Sequence, residues 1–446
     1  MSIINFVKKK LNNLISDKKF EEILHGGALS LSAKVLGVTI GIFSNIIVAR
    51  YYGPEIMGIV AILNSFFAIA VLFSLMGMNV SLLRLIPEYI AKFSYFSAYN
   101  VYKKILKTAV FLSLIVAALL FFSSDFIASN IFNKSHLSIL FAVAAIFLIG
   151  KTLVQINTNT IRALKNIKLY AFAQILPNLV NFFFLALLTS LFYQKYNPIY
   201  IQFLIIIVGT LATAYMVKKL FCSKIENGKP AEKISYHKIF SISSPMFLTA
   251  TMHLVISQTD IVMLGIMKSE ADVGVYSVAV KLALLTSAIL IAFNTIIAPK
   301  FSELYHSEKI DELAHVAKKS AKLIFWITAP ILIVLMAFGK GILSVFGDKF
   351  VVAYWALFFL IIGQFVNSAA GSVGYLLNMT GHQIAFRNIV FAAGILNIML
   401  NYFLIPVYGI YGAAIASMIC ISLWNIAASI YVKIKFGFRI AYVPFC

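Results

Sequence analysis

Apolar runs of about 20 residues recur along this chain from near residue 26 almost to its end, separated by short polar breaks. A run of that length crosses the hydrocarbon core of a bilayer as one helix. The pattern places spans at approximately 26–50, 57–82, 104–123, 137–158, 169–193 and 198–219, then 240–266, 273–298, 321–339, 351–377, 386–405 and 411–432. The longest polar break among them, Lys218 to Lys238, contains Asn227, Gly228, Lys229 and Pro230, the composition of a linker, and it divides the spans six and six. Ahead of them, Ile3, Ile4, Val7, Leu11, Leu14 and Ile15 recur at helical spacing around Lys8, Lys9 and Lys10. That pattern predicts an amphipathic helix lying on the membrane surface. The expected organisation is an amphipathic helix over 1–25, an N-lobe over 26–220, a linker over 221–239, a C-lobe over 240–432 and a tail over 433–446.

The two halves also resemble each other at a shift of about 215 residues. Gly58 matches Gly274, and Ile127, Ser129 and Lys134 match Ile342, Ser344 and Lys349. Lys168 falls opposite Gln383, and Asn178 with Asn181 corresponds to Asn397 with Asn401. Six spans return the chain to its starting side, so the halves are parallel repeats and the cleft between them is the natural binding site. The fold expected is all-α, with about twelve transmembrane helices in two pseudo-symmetric six-helix lobes around a central cavity.

Composition agrees: 61% of the 446 residues are hydrophobic and only 12% are charged. The net charge of +21 would suggest a nucleic-acid partner in a soluble protein, but here the basic residues concentrate in alternate loops. That distribution places both termini in the cytoplasm and removes the case for nucleic acid. Phosphate loops, paired His and Asp ligands and long loops able to hold a catalytic site are missing, so the sequence predicts neither an enzyme nor a cofactor.

Charges that remain within spans are costly and are the first functional candidates. Lys34, Lys151 and Lys281 lie inside spans, with Arg84 and Arg162 at span ends. Together they read as a cationic cavity for a compact anion, the bland alternative being snorkelling to the interface. Asp260 is the one acid deep in a span. It stands at a depth similar to that of Lys281 on an antiparallel hairpin, so it either forms an ion pair with that lysine or couples a proton or sodium gradient to transport. The amides of spans five and eleven would bond neighbouring helices, and Pro177, Pro245 and Pro299 are candidate hinges.

The segments VARYYGPEIMG (48–58), LLRLIPEYIA (82–91), SPMFL (244–248), TDIVMLG (259–265), VGVYSVAVKL (273–282), APKFSEL (298–304) and IPVYGIYGAAIAS (405–417) occur in order along essentially the whole chain. In these the sequence resembles the polysaccharide-transporter branch of the multidrug/oligosaccharidyl-lipid/polysaccharide exporter superfamily. The resemblance implies a flippase that carries undecaprenyl-diphosphate-linked oligosaccharide, an O-antigen, capsule or related unit, across a bacterial inner membrane by alternating access. Its partners would be the lipid-linked oligosaccharide, membrane lipids, and polysaccharide polymerase and chain-length proteins. A multidrug exporter of the same superfamily would line its cavity with acids or aromatics. A membrane polymerase or ligase would need longer outer loops.

Overall fold

A computed structural model describes residues 18–225 and 234–442. Residues 1–17, 226–233 and 443–446, which hold most of the expected surface helix and the centre of the linker, lie outside the described residues. The first half comprises α1 (Lys18–Ile47), α2 (Gly53–Leu75), α3 (Met78–Lys92), α4 (Tyr95–Phe122), α5 (Ser138–Ala163), α6 (Ile167–Leu191) and α7 (Asn197–Cys222). The second comprises α8 (Tyr236–Met267), α9 (Glu270–Ala283), α10 (Leu285–His306), α11 (Ile310–Ala337), α12 (Tyr354–Ala370), α13 (Val373–Met379), α14 (Gln383–Tyr408) and α15 (Ile410–Phe436).

Among the described residues, ten helical stretches are long and apolar enough to cross a membrane, or eleven when α8, bent by 44° between Met252 and Leu254, is taken as one span. Pro245 lies about two turns before that bend and does not account for it. One stretch, Ala33–Leu75, has 43 residues. At 1.5 Å per residue it would measure about 65 Å if straight, roughly twice the hydrocarbon thickness. Gly53 breaks it, with φ 79° and ψ 178°, a backbone conformation that side chains do not tolerate. Counting α1 and α2 separately gives the twelve spans that the hydropathy pattern predicts. Span two breaks again at Met76 and Gly77, both at positive φ, and span eight breaks at Leu284.

Helix neighbours repeat between the halves. In the first, α1 packs on α6, α4 on α5, α5 on α7 and α6 on α7. In the second, α8 packs on α14, α11 on α12, α12 on α15 and α14 on α15, which is the same set of pairs one repeat later. The lobes meet chiefly where α2 crosses α9. A Cβ at Gly58 would lie 1.7 Å from the Glu270 carbonyl oxygen, and one at Gly274 would lie 2.0 Å from that of Pro54. The two glycines matched by sequence are therefore the two halves of one contact, and the pseudo-twofold relation runs through it.

On this side, far from the termini, N-lobe cations hold C-lobe groups. Arg50 Nε donates to the Val345 carbonyl at 2.7 Å, and Lys134 Nζ donates to the carbonyls of Gly265 and Lys268, the latter at 2.7 Å. His136 stands 3.1 Å from Glu270. Burial pushes the Lys134 ammonium below its ordinary value, against the opposing pull of Glu270 and Asp272. On the side bearing the termini, α3 still touches α8: Ser243 donates to Ser81 at 3.0 Å, and Lys238 reaches Glu88 at 3.2 Å. Between α1 and α10 the lobes scarcely touch, and the interior is accessible there.

Gly58→Ala and Gly274→Ala should each cost about 1–3 kcal/mol, because the obstructing atoms are backbone and the helices must separate. Gly341→Ala, where nothing lies within 4 Å, should be silent. Thermal unfolding of the detergent-purified variants checks this, and equal stability of all three would remove the crossing as a structural determinant.

Candidate functional site

Lys34 and Lys281, from different lobes, line one cavity of about 470 Å³. Among the α1 residues that line it, Lys34, Gly37, Gly41 and Asn45 are spaced by three, four and four and form one stripe along the helix, flanked by apolar Ala33, Val38 and Ile42. The glycines let α6 approach: the Asn178 amide would lie 3.2 Å from a Cβ at Gly37 and 3.4 Å from one at Gly41. Asn178 thereby enters the cavity beside Gln174. Lys281 reaches across from α9 and donates to Asn45 Oδ1 at 2.8 Å. A corresponding bond, Ser65 Oγ to Gln258 Oε1 at 2.8 Å, joins α2 to α8. The shift from Ser65 to Lys281 is that of the repeat, so the two inter-lobe bonds are images of each other.

Asn178 also lines a second cavity of about 170 Å³ together with Asn181, Lys151, Asn64 and Gln202. Lys151 and Asn64 continue into a third, of about 400 Å³, that reaches Gln155 and Asn79. Shared lining residues link the three into one tract, walled mainly by the N-lobe with Lys281, Leu284, Leu285, Ala250 and Leu254 from the C-lobe, and it has lysines at one end and midway and amides between them. Among the described residues no carboxylate lines any of the three. Gln202 Oε1 is buried there without a hydrogen-bond partner among the described residues.

Lys34, Lys151 and Lys281 thus belong to one tract. Arg84 and Arg162 do not: both are exposed and line none of these cavities. Arg162 stacks 5.6 Å from the Tyr170 ring, though its like charge still acts on Lys34. Arg162 falls in the last turn of α5, whereas Arg84 stands mid-way along α3, beyond the break at Met76 and Gly77, and not at a helix end as expected; in both places a long cationic side chain reaches outward more cheaply than it enters the interior.

Asp260 makes no ion pair with Lys281. Tyr276 donates to it at 2.6 Å, Asn401 at 2.8 Å and Asn397 at 3.3 Å, and Ser417 donates a further hydrogen bond. The two side chains differ in the direction they face. Tyr276 and Lys281, five residues apart on α9, point about 140° apart around the helix, so when one faces Asp260 the other faces the cavity. Asp260 is 6% exposed and surrounded only by neutral groups, and Asn401 Oδ1 beside it is buried without a partner. Such a carboxylate with its amides and hydroxyls suits a proton or a small monovalent cation, since nothing else there compensates its charge.

Sequence reasoning missed Asn45, Tyr276, Ser417 and Gln202. The first was detectable as the polar end of the Lys34, Gly37, Gly41 stripe. Tyr276 and Ser417 lie within VGVYSVAVKL and IPVYGIYGAAIAS, which converge with TDIVMLG on Asp260. Asn397 and Asn401 bond between helices, as expected of span amides, but their common acceptor is the carboxylate.

The fold and this bipartite interior define a multidrug/oligosaccharidyl-lipid/polysaccharide superfamily transporter fold. An inward-facing multidrug-resistance MATE family transporter of that superfamily aligns over 92% of this chain and 98% of its own, with a TM-score of 0.74 at 14% identity. The lipid II flippase MurJ in an inward closed conformation aligns over 91% and 87%, with a TM-score of 0.68 at 16% identity. The chain belongs to the polysaccharide biosynthesis protein family, whose profile matches residues 23–305, and the MatE profile matches 245–403. The probable low-salt glycan biosynthesis flippase Agl15 of Haloferax volcanii is 26% identical over 218 residues, 47% of this chain and 45% of that protein. The probable flippase AglR of the same organism is 27% identical over 39% of this chain and 37% of its own. An uncharacterized membrane protein of Methanocaldococcus jannaschii, MJ1068, is 22% identical over 89% of this chain and 81% of its own. The matches to the two flippases therefore span less than half of either relative.

Exchanging the charges in an Asp260→Lys, Lys281→Asp double variant should not rescue either single change, because the two side chains face different surroundings. Asp260→Asn should fold, since Tyr276 and Ser417 hydroxyls accept as well as donate. Asp260→Leu should lower the yield of monodisperse protein by stranding four donors. Size-exclusion chromatography of the variants reads this out, and rescue by the exchange would restore the ion pair.

Proposed function

We propose that this protein moves a lipid-linked saccharide from one leaflet to the other, holding its phosphate and sugar in the polar tract while the polyprenyl tail stays in the bilayer. The observation that carries the reading is a tract with cations at one end and midway, amides along it and no carboxylate. Lys34 and Lys281 offer charge-assisted hydrogen bonds to a phosphate or diphosphate, and Gln202 and the asparagines suit sugar hydroxyls. Val35, Leu36 and Leu284, all exposed, give the open seam between α1 and α10 an apolar edge along which the tail leaves the tract for the lipid. A cationic drug has no counter-charge there, which disfavours the multidrug reading. The names of the flippase relatives agree with the substrate class.

Transport proceeds by alternating access, the lobes being residues 26–220 and 240–432. In the described state the far side is closed at Gly58 and Gly274 and by the bonds of Arg50, Lys134 and His136. An anion in the first cavity competes with Asn45 for Lys281 and so loosens one inter-lobe bond while drawing the lobes together through its own charge. Opening the far side then breaks the cation bonds. A proton or sodium ion at Asp260 couples this cycle to a gradient. The terminal side is cytoplasmic, in a bacterial inner membrane. The substrate is undecaprenyl-diphosphate-linked O-antigen, capsule or a related unit, received downstream by polymerase and chain-length proteins.

Lys34→Arg and Lys281→Arg should retain more export of a tagged lipid-linked oligosaccharide than Lys34→Gln and Lys281→Gln, in cells lacking their own flippase and at equal amounts of folded protein. Normal export by both glutamine variants would dismiss these lysines as phosphate ligands. Cysteines introduced near Lys134, Lys195 and Lys268 should be labelled from outside intact cells and one near Lys229 should not. The reverse pattern would invert the orientation.

A further inference from the structure

A groove of about 420 Å³ lies outside the transport tract, between α12, the end of α15 and the segment 439–442. That segment is pinned: Phe438 and Ile440 are buried, Tyr442 N–H donates to the Ala369 carbonyl at 2.9 Å, and Trp326 donates to the Tyr442 hydroxyl at 3.1 Å. The groove is consequently a built feature of the fold. Its walls are apolar, with Val366, Ala369 and Ala370 on one side and Ile426 and Ile430, 47% and 52% exposed, on the other. Its rim carries Lys433 and Arg439, and among the described residues no carboxylate lines it.

Within it, two buried polar atoms have no partner among the described residues, Ser429 Oγ and Asn425 Oδ1. The Asn425 amide nitrogen is already committed, donating to Ile421 O at 2.8 Å and to Asn367 Oδ1 at 3.3 Å. An apolar trough that ends in two cations, with an unsatisfied hydroxyl one turn inward, matches neither a soluble anion nor a plain hydrocarbon. It matches an amphiphile whose charged end is negative. Ser429 and Lys433 are four residues apart on one helix face, about 6 Å along the axis. That is the order of separation between the phosphate of a glycerophospholipid and its first ester carbonyl.

We infer that this groove holds one anionic phospholipid of the leaflet on the terminal side. Its phosphate lies between Lys433 and Arg439, an ester carbonyl accepts from Ser429, and one acyl chain covers Ile426 and Ile430. The site is separate from the transport tract and does not depend on what that tract carries.

Native mass spectrometry of the full chain, titrated with phosphatidylglycerol or phosphatidylcholine, tests it. One phosphatidylglycerol should be retained in preference to phosphatidylcholine. Lys433→Gln with Arg439→Gln should weaken that retention about tenfold or more, as expected for losing charge-assisted bonds. Ile430→Trp, which fills the groove from an outward-facing position and leaves the charges in place, should weaken it as well. Lys34→Gln with Lys281→Gln should leave it unchanged. Equal retention of the two lipids by the parent chain, or retention unaffected by both groove variants, would overturn the assignment. So would loss that follows the Lys34 and Lys281 pair, which would place the lipid in the central tract.

Discussion

The lobes are joined at a contact that leaves no room for side chains. Where α2 crosses α9, Gly58 faces the backbone of Glu270 and Gly274 faces that of Pro54, at distances that only hydrogen atoms can occupy. Small residues are how helices approach closely in a medium that supplies no hydrophobic drive for association. Because the same position in each repeat supplies the glycine, the crossing is symmetric, and it is the tightest meeting of the lobes. Towards the termini the lobes part between α1 and α10, where the accessible interior lies, while α3 and α8 stay bonded through Ser81 with Ser243 and Glu88 with Lys238.

Polarity inside the molecule is divided between the lobes. The N-lobe supplies the amides of the tract and two of its lysines, Lys34 and Lys151, with Lys281 reaching in from the C-lobe, which also buries Asp260 within a shell of neutral donors. The equivalent asparagines face different surroundings in the two repeats: Asn178 sits over glycines and looks into the cavity, whereas Asn397 and Asn401 look at a carboxylate. Keeping Asp260 away from Lys281 also matters energetically. A mutual ion pair would neutralise both groups and leave neither available to an anion or a cation.

Hydropathy and repeat matching made the architecture legible, down to Gly58 and Gly274, because bilayer length and the backbone both act on sequence locally. Span two was less legible: Met76 and Gly77 at positive φ end α2 inside an apolar run that reads as continuous. The site was legible in its charges and illegible in its partners. Lys34, Lys151 and Lys281 stood out because intramembrane charge is rare, but Asn45 and Tyr276 acquire meaning only when the facing of two helices is known. Depth can be counted along a hairpin. Azimuth depends on how the helices pack, and the expected Asp260–Lys281 pair is absent because Lys281 faces Asn45 and the cavity while Tyr276 faces the carboxylate.

The closure on the far side has an evolutionary consequence. Arg50 and Lys134 grip Val345, Gly265 and Lys268 by their carbonyl oxygens, which every amino acid possesses. Substitutions at Val345 and Lys268 leave the grip intact as long as the backbone keeps its path, whereas a side chain at Gly265 would press on Ile62 and Phe132. The demand on residue identity falls instead on Arg50 and Lys134 of the N-lobe, together with Gly274 and Glu270 of the C-lobe. The turns at Val345 and Lys268 are thereby released to vary in sequence while the residues that grip them are held, which is one route by which the outer face can diverge without loss of its closure.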